Sequence, residues 1–208
     1  MRTDVPSRRE RAGTLKTRDV TLRLGRIVLR PLTERDWDVL LRWNSDPEVL
    51  YFSEGTDVSS WTLEEVQGIY RTVSQASYCF IIEFDGKPVG ECWLQKMNLP
   101  RILARHAGFD CRRIDLMIGE KTYWHRGIGT KAVLLLVEFG FEREKADMVF
   151  ACDVADYNVA SLNMFRKCGF EVDASYPQPP GRKAKICYDL VLTRERFSAM
   201  STGVGGKS

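Results

Sequence analysis

The chain of 208 residues has few histidines, no closely spaced pair of cysteines and no long apolar run. Its two histidines, His106 and His125, are too few for a histidine-rich metal centre. None of the cysteines forms a C-x-x-C pair, so we expect buried free thiols rather than a zinc or redox motif. They are Cys79, Cys92, Cys111, Cys152, Cys168 and Cys187. The sequence therefore predicts no metal site.

Three further sequence features are also missing: a membrane-spanning helix, a secretory signal and a nucleotide-binding loop. No apolar run reaches the roughly 18 residues that a membrane-spanning helix needs. The basic N-terminal segment lacks the apolar core of a secretory signal, so we expect a cytoplasmic protein without a membrane partner. A nucleotide-binding P-loop, G-x-x-x-x-G-K-[ST], is absent, because Ser201 stands where the glycine before Gly206-Lys207-Ser208 would be.

The net charge of +3 is unevenly distributed along the chain. Residues 1–30 hold nine Lys or Arg against three Asp or Glu, whereas the remainder holds 22 against 25. We expect residues 1–19 to be a disordered basic tail. The basic residues are not interleaved with aromatic ones, so no nucleic-acid partner is predicted. The slightly acidic remainder suits a cationic substrate.

Hydrophobic patterns predict one mixed α/β (α+β) domain over residues 20–197, followed by a flexible tail over residues 198–208. Asp85-Gly86 predicts a hairpin between two strands. The predicted strands cover residues 20–30, 78–84, 87–95, 113–118 and 148–154, a stretch beginning at 172, and 184–192. The predicted helices cover residues 33–44, 62–74, 130–144 and 158–167. Residues 96–110 are expected to form a long loop, and Pro47 to end the first helical region.

The stretch from Tyr123 to Ala132 lies between a predicted strand and a predicted helix. Gly127 and Gly129 let the backbone approach a ligand closely. Unpaired N–H groups at a helix start attract anions, and Arg126 and Lys131 add positive charge. The stretch therefore predicts a phosphate-binding turn.

This stretch resembles the acetyl-coenzyme A signature [QR]-x-x-G-x-[GA] of the GCN5-related N-acetyltransferase (GNAT) family. Gly127 and Gly129 match, whereas Trp124 departs from the first position. The resemblance covers about residues 22–195. It implies a central mixed sheet that splays between its fourth and fifth strands and is flanked by helices. It also implies acetyl-coenzyme A as the cosubstrate.

The resemblance further implies which residues bind the coenzyme. Strand residues before the turn would offer backbone groups, the turn would bind phosphates, and the following short helix would contribute side chains. These residues are Leu116, Met117, Ile118, His125, Arg126, Gly127, Ile128, Gly129, Thr130, Lys131, Asn158 and Phe165. Many members have a tyrosine at the position of Phe165 that protonates the leaving thiolate, so here solvent or Tyr157 would do so.

Other motifs resemble aminoglycoside 6'-N-acetyltransferases within this family. Residues 62–70 match a T-L-x-x-V-Q-x-x-Y pattern, and Asp153 and Asn158 match D-x-x-x-x-N. The resemblance implies that Asp115, twelve residues before Gly127, is the catalytic base. A polyamine sugar would also need carboxylates and aromatic rings around it. The candidate substrate-binding residues are Tyr51, Glu91, Trp93, Asp110, Asp115 and Asp153.

Together these features predict transfer of an acetyl group to a primary amine in a direct ternary complex. The 6'-amino group of an aminoglycoside is the expected acceptor, so the expected partner is a small polyamine sugar and the expected outcome is antibiotic resistance. A monomer or homodimer is expected. Two alternatives stay open: an N-terminal protein acetyltransferase resembling those of ribosomal proteins, and a coenzyme A-binding sensor without catalysis.

Overall fold

The structure, a computed structural model, describes residues 13–53 and 60–203. Its strands are β1 Leu22–Leu24, β2 Ile27–Pro31, β3 Ser77–Phe84, β4 Lys87–Lys96, β5 Cys111–Met117, β6 Met148–Ala155, β7 Glu171–Pro177 and β8 Ile186–Thr193. Its helices are α1 Trp37–Trp43, α2 Pro47–Ser53, α3 Leu63–Ser74, α4 Pro100–Arg105, α5 Ile128–Glu138, α6 Val159–Lys167 and α7 Arg194–Gly203. Short 3-10 turns cover Glu34–Asp36 and Lys121–Tyr123, and a π-helical turn, Phe139–Arg143, follows α5.

The strands form one sheet in the order β1-β2-β3-β4-β5-β6-β8-β7. Neighbouring strands are antiparallel except β5 and β6, which are parallel. That parallel pairing joins Cys111–Ile114 to Met148–Ala151 and stops there, although both strands continue. The predicted mixed fold is confirmed, and the sheet opens between the two strands where the splay was expected.

Helices cover both faces of this sheet. Alternate residues of β3 point to opposite faces, so Phe80 and Ile82 pack with α5 and α6, while Ile81 packs with α1 and α3. The larger core contains Val133 and Leu136 of α5, both fully buried. The sheet is therefore held in the middle of the molecule, with its opening between α5–α6 on one side and α1–α3 on the other.

Local signals predicted two elements closely. The turn at Asp85 and Gly86 has positive φ at both residues, 52° and 73°, as a two-residue hairpin requires. Helix α3 starts at a capping box: the Glu65 amide donates to Thr62 Oγ1, and the Thr62 amide donates to the Glu65 carboxylate. Both predictions are confirmed.

Several predicted boundaries were wrong. Residues 20–30 form two strands, because Gly25, with φ of 59°, turns the chain between them. Pro47 begins α2 rather than ending a helical region, since a first-turn proline loses no helical hydrogen bond. The expected loop at 96–110 contains α4, which Pro100 begins for the same reason. Helix α5 begins at Ile128, two residues before the expected start.

The chain ends differ in part from the expected tails. Residues 1–12 and 204–208 lie outside the described residues. Within the described part, the Arg18 guanidinium donates to the carbonyl oxygens of Ser74, Gln75 and Ser77 at the end of α3. Helix α7 continues past Ser198 to Gly203. No helix in the described residues is long and apolar enough to cross a membrane.

Candidate active site

The opening between β5 and β6 holds a cavity of about 380 Å³. Asp115, Leu116 and Met117 line it from β5, and Cys152 and Asp153 line it from β6. On β6 the register shifts between Ala151 and Val154, and Asp153 has a positive φ of 58°. A bulge of this kind bends a strand, so it accompanies the separation of β6 from β5. Carboxylates from two strands thereby reach one cavity.

Asp115 is held by a donor on each of two strands. Trp93 Nε1 donates to Asp115 Oδ2 at 2.9 Å, and Arg113 Nε donates to the same oxygen at 2.9 Å. Burial raises the pKa of Asp115, while Arg113 and the Trp93 N–H oppose that shift and the charge of Asp153 adds to it. A fixed carboxylate of raised pKa is a stronger base than an exposed one, which suits proton abstraction from an amine.

Asp153 belongs to a charged network behind the cavity. Arg101 donates to Asp153 Oδ2 at 2.8 Å, and the Tyr176 hydroxyl donates to Asp153 Oδ1. Arg101 also donates to Asp189, whose side chain is completely buried. Burial disfavours ionisation of Asp189, but Arg101 and Arg105 outweigh it and hold its pKa below the usual range. The network fixes Asp153, which keeps 53% of its side chain exposed at the cavity edge.

Glu91 is a third carboxylate in this cavity and is 4% exposed. It lies opposite Met117 in the β4–β5 register, two positions from the pair of Trp93 and Asp115. The Tyr70 hydroxyl lies within reach of Glu91 and Asn44, and burial raises the pKa of that hydroxyl. Because side chains two positions apart share a face of the sheet, Glu91 and Trp93 both face the cavity.

The glycine turn forms an open cradle at the start of α5. Gly127 has a φ of 73°, and a Cβ placed on it would meet no atom within 4 Å. His125, Arg126, Gly127 and Lys131 are exposed, and the Arg126 guanidinium lies 5.2 Å from the centre of the Tyr123 ring. Exposed cations beside the unpaired N–H groups of a helix start suit a phosphate, so the turn fits the coenzyme.

Trp124, which departs from the acetyl-coenzyme A signature, anchors this turn to Ile118, the residue that follows β5. Its Nε1 donates to the carbonyl oxygen of Ile118 at 2.7 Å. Gly129 lies close to α6, because a Cβ on it would come 2.8 Å from Met164 Sδ. The turn is therefore fixed by the strand before it and by the helix beside it.

Asn158 and Phe165 lie on the α6 side of the cavity. Asn158 caps α6, since its Oδ1 accepts from the Ser161 amide at 3.1 Å, and its Nδ2 donates to the Phe52 carbonyl at 3.1 Å. Phe165 is 5% exposed and packs on Phe170. Position 165 therefore presents an apolar ring and no hydroxyl to the cavity.

The structure brings together most of the predicted site residues, but not all. The cavity is lined by Asp115, Leu116, Met117, Asn158, Phe165, Glu91, Trp93 and Asp153. The glycine-turn residues 125–131 lie outside its lining, at the start of α5. Asp110 is not brought to the cavity: it precedes β5 at the closed end of the opening and pairs with Arg112 at 2.8 Å. Tyr51 lies beside Tyr157, with ring centres 5.6 Å apart.

Sequence reasoning missed four residues that shape the site: Arg101, Arg113, Tyr176 and Lys183. Arg113 was detectable, because residues two apart on a strand share a face. The other three come from α4, β7 and the loop before β8, and no spacing signal joins those elements. Cys152 also lines the cavity, but burial raises the pKa of its thiol to about 12, which disfavours a role as nucleophile.

Comparison with known proteins decides the family. The Acetyltransferase (GNAT) domain model matches residues 26–171. The chain belongs to this family. The predicted family is thereby confirmed, and with it acetyl-coenzyme A as the cosubstrate. This GNAT chain is 25% identical over 199 residues to aminoglycoside N(6')-acetyltransferase type 1 of Klebsiella pneumoniae, covering 89% of this chain and 92% of that one.

Solved structures share the GNAT fold. Aminoglycoside acetyltransferase AAC(6')-Ib in complex with coenzyme A has a TM-score of 0.66 and 21% identity, over 84% of this chain and 99% of that one. Spermidine N-acetyltransferase from Vibrio cholerae, in complex with coenzyme A and spermine, has a TM-score of 0.69 and 13% identity, over 84% and 99%. At these identities the likeness shows the fold.

Proposed function

We propose that this GNAT protein acetylates a primary amine of a polyamine sugar, most specifically the 6'-amino group of an aminoglycoside. The observation that carries the proposal is the Asp115 carboxylate, which Trp93 and Arg113 hold at the opening between β5 and β6. The aminoglycoside acetyltransferase relative supports this acceptor class. The same proposal includes that the enzyme acts in the cytoplasm and gives resistance to the drug.

The coenzyme would lie between the glycine turn and the opened strands. Backbone N–H groups at the start of α5, together with Arg126 and Lys131, would bind its phosphates. Leu116 and Met117, at the edge of β5 that β6 leaves unpaired, would bind its chain through backbone groups. Acetyl-coenzyme A, when bound, supplies the acetyl group as a thioester whose thiolate leaves as the amide forms.

Asp115 would make the acceptor nucleophilic. An amine that is protonated at neutral pH must lose a proton before it can attack, and the ionised Asp115 carboxylate would take it. The raised pKa of Asp115 favours that transfer. Phe165 has no hydroxyl to donate in return, and the Tyr157 hydroxyl donates to the Tyr51 carbonyl at 3.2 Å. Because the ordinary pKa of a thiol is about 8.5, the leaving thiolate can take a proton from solvent.

Carboxylates in the cavity support a polyamine acceptor. Asp115, Asp153 and Glu91 line a cavity that Arg182 and Lys183 also line, and the three carboxylates offer hydrogen-bond acceptors to a molecule with several ammonium groups. The solved relative that binds spermine is a second polyamine acetyltransferase of the same fold. Asp110 lies outside the cavity lining, so we leave it out of the proposed acceptor site.

Thiol release from acetyl-coenzyme A by the full chain tests the proposal. The acceptors are kanamycin, tobramycin, spermidine and a peptide with the N-terminus of a ribosomal protein. Release with kanamycin or tobramycin alone supports the 6'-acetyltransferase. Release with spermidine alone agrees with a polyamine acceptor but overturns the proposal that the acceptor is a sugar. Release with the peptide alone overturns the acceptor class, and coenzyme binding without release overturns catalysis on these amines.

A further inference from the structure

An aromatic cage stands at one end of the cavity, formed by Tyr51 and Phe52 at the end of α2 and by Tyr157 before α6. The rings of Tyr51 and Phe52 are 4.9 Å apart, and those of Tyr51 and Tyr157 are 5.6 Å apart. Phe52 and Tyr157 line the cavity that also holds Asp115. The cage therefore opens into the proposed acceptor site.

Lys183 fills this cage with its own ammonium group. Its Nζ lies over the Tyr51 ring, 3.7 Å from the Tyr157 ring centre and 6.0 Å from that of Phe52. The Nζ is buried, and among residues 13–53 and 60–203 it has no hydrogen-bond partner. Burial lowers the pKa of Lys183 accordingly. Aromatic faces alone, within those residues, hold a desolvated cation here.

The cage is held by the same hydrogen bonds that join α2 to α6. The Tyr157 hydroxyl donates to the Tyr51 carbonyl, and Asn158 Nδ2 donates to the Phe52 carbonyl. These two carbonyls belong to the last turn of α2, where the helix dipole is negative. The carbonyl end of a helix and three ring faces both favour a positive charge, so the cage is suited to an ammonium group.

We propose that Tyr51, Phe52 and Tyr157 form a binding site for a second ammonium group of a polyamine acceptor, and that Lys183 occupies this site in its absence. The proposal rests on the proposed function in one respect, that the acceptor carries more than one amine. One amine would face Asp115 while another replaces Lys183 in the cage. Lys183 would then compete with the second amine for the cage. It would therefore weaken the binding of acceptors with two amines more than the binding of acceptors with one.

Tetramethylammonium is the probe, because it fits an aromatic cage and cannot be acetylated. Isothermal titration of the full chain at constant ionic strength compares the wild type with Lys183→Gln. We expect the variant to bind the probe about fivefold to tenfold more tightly, since the internal cation is gone. The matched control is Lys185→Gln, which removes the same charge from the exposed Lys185 on the same loop. It should bind like the wild type.

Two changes at Tyr157 separate the ring from the hydroxyl. In the Lys183→Gln background, Tyr157→Phe keeps the ring and should keep the higher affinity for tetramethylammonium. Tyr157→Leu removes the ring and should lose that higher affinity. Circular dichroism establishes that both variants are folded. Equal binding by the wild type and Lys183→Gln, an equal gain in Lys185→Gln, or a gain kept in Tyr157→Leu would each overturn the cage.

The titration needs neither acetyl-coenzyme A nor turnover, so its outcome is independent of the thiol-release assay. Probe binding without acetyl transfer would keep the cage and overturn the proposed function. Acetyl transfer without tighter probe binding in Lys183→Gln would keep the proposed function and overturn the cage. Where transfer is found, the Michaelis constant for a diamine should fall in Lys183→Gln while that for a monoamine stays the same.

Discussion

Trp93 and Asp115 face each other across the β4–β5 ladder, and the Trp93 indole N–H donates to the Asp115 carboxylate at 2.9 Å. The strand pairing that builds the sheet therefore also orients the proposed base. The Trp93 ring in turn packs edge-on against Tyr70, at 5.9 Å. An aromatic side chain that was predicted to bind a sugar thus holds a carboxylate in place.

Asp115→Asn should lower kcat by at least about a hundredfold, because the amide cannot take a proton from the acceptor. Affinity for coenzyme A should stay the same, since the backbone of β5 is unchanged. Thiol release and coenzyme titration measure the two effects. Asp110→Asn is the matched control: it changes a carboxylate at the closed end of the strands and should leave kcat unaltered. Full turnover in Asp115→Asn would move the base elsewhere.

Trp93→Phe should shift the acid limb of the kcat/KM profile to higher pH. The base acts when ionised, and burial already raises its pKa. The Trp93 N–H favours the ionised form, so its loss raises that pKa further. Trp43→Phe is the control, because Trp43 Nε1 donates to a different carboxylate, that of Glu120, at 2.9 Å. An equal shift in both variants, or a shift to lower pH in Trp93→Phe, would contradict the assignment.

Gly127→Val should weaken coenzyme binding by more than about tenfold, because its side chain would enter the space in front of the helix start. The substitution also forces a β-branched residue to a φ of 73°. Gly25→Val carries a similar strain, at a φ of 59°, in the turn between β1 and β2. Both variants should lose comparable stability, and only Gly127→Val should lose coenzyme affinity. Equal coenzyme affinity in the two variants would remove the phosphate-binding role.

Asp189→Asn should lower the free energy of unfolding at pH 7 by about 3 kcal/mol, since it leaves Arg101 and Arg105 without their buried partner. The folded pKa of Asp189 is lowered, so its contribution is complete above the unfolded value of about 3.9 and is lost as pH falls through the folded value. Urea unfolding at pH 7 and pH 3 should therefore show a smaller difference at pH 3.

The control for Asp189 is Asp85→Asn, which removes the exposed partner of Arg26. Exposed ion pairs contribute little, so this variant should change stability much less. If the difference in unfolding free energy between Asp189→Asn and the wild type grew as pH fell, the network would not favour the ionised carboxylate.

Local signals accounted for much of the fold. The Asp85-Gly86 turn and the Thr62–Glu65 capping box each act within a few residues, so their elements were predicted almost to the residue. Proline misled the prediction twice, because Pro47 and Pro100 each begin a helix and a proline that starts a helix resembles one that ends it. Gly127 and Gly129 predicted a turn from strand to helix, and α5 does begin directly after Gly127.

The wider site could be predicted only in part. Asp115 and Asp153 were named from motif spacing, and the bulge at Asp153 brings both to one cavity. Asp110 was named beside them by charge alone, and its position at the closed end of β5 directs it to Arg112. The partners Arg101, Tyr176 and Lys183 lie 23 to 132 residues along the chain from the groups they contact, from Tyr176 with Asp153 to Lys183 with Tyr51.

The sequence by itself determined the glycine turn, the strand that carries Asp115 and the central run from the hairpin strands to α6 apart from α4, because these depend on residues close together in the chain. Tertiary structure alone decided which carboxylates share a cavity, which arginines neutralise them and where the ammonium group of Lys183 lies. Those contacts form only when β5 and β6 separate and distant loops meet over the opening. Their energies depend on burial and distance, which no local pattern encodes.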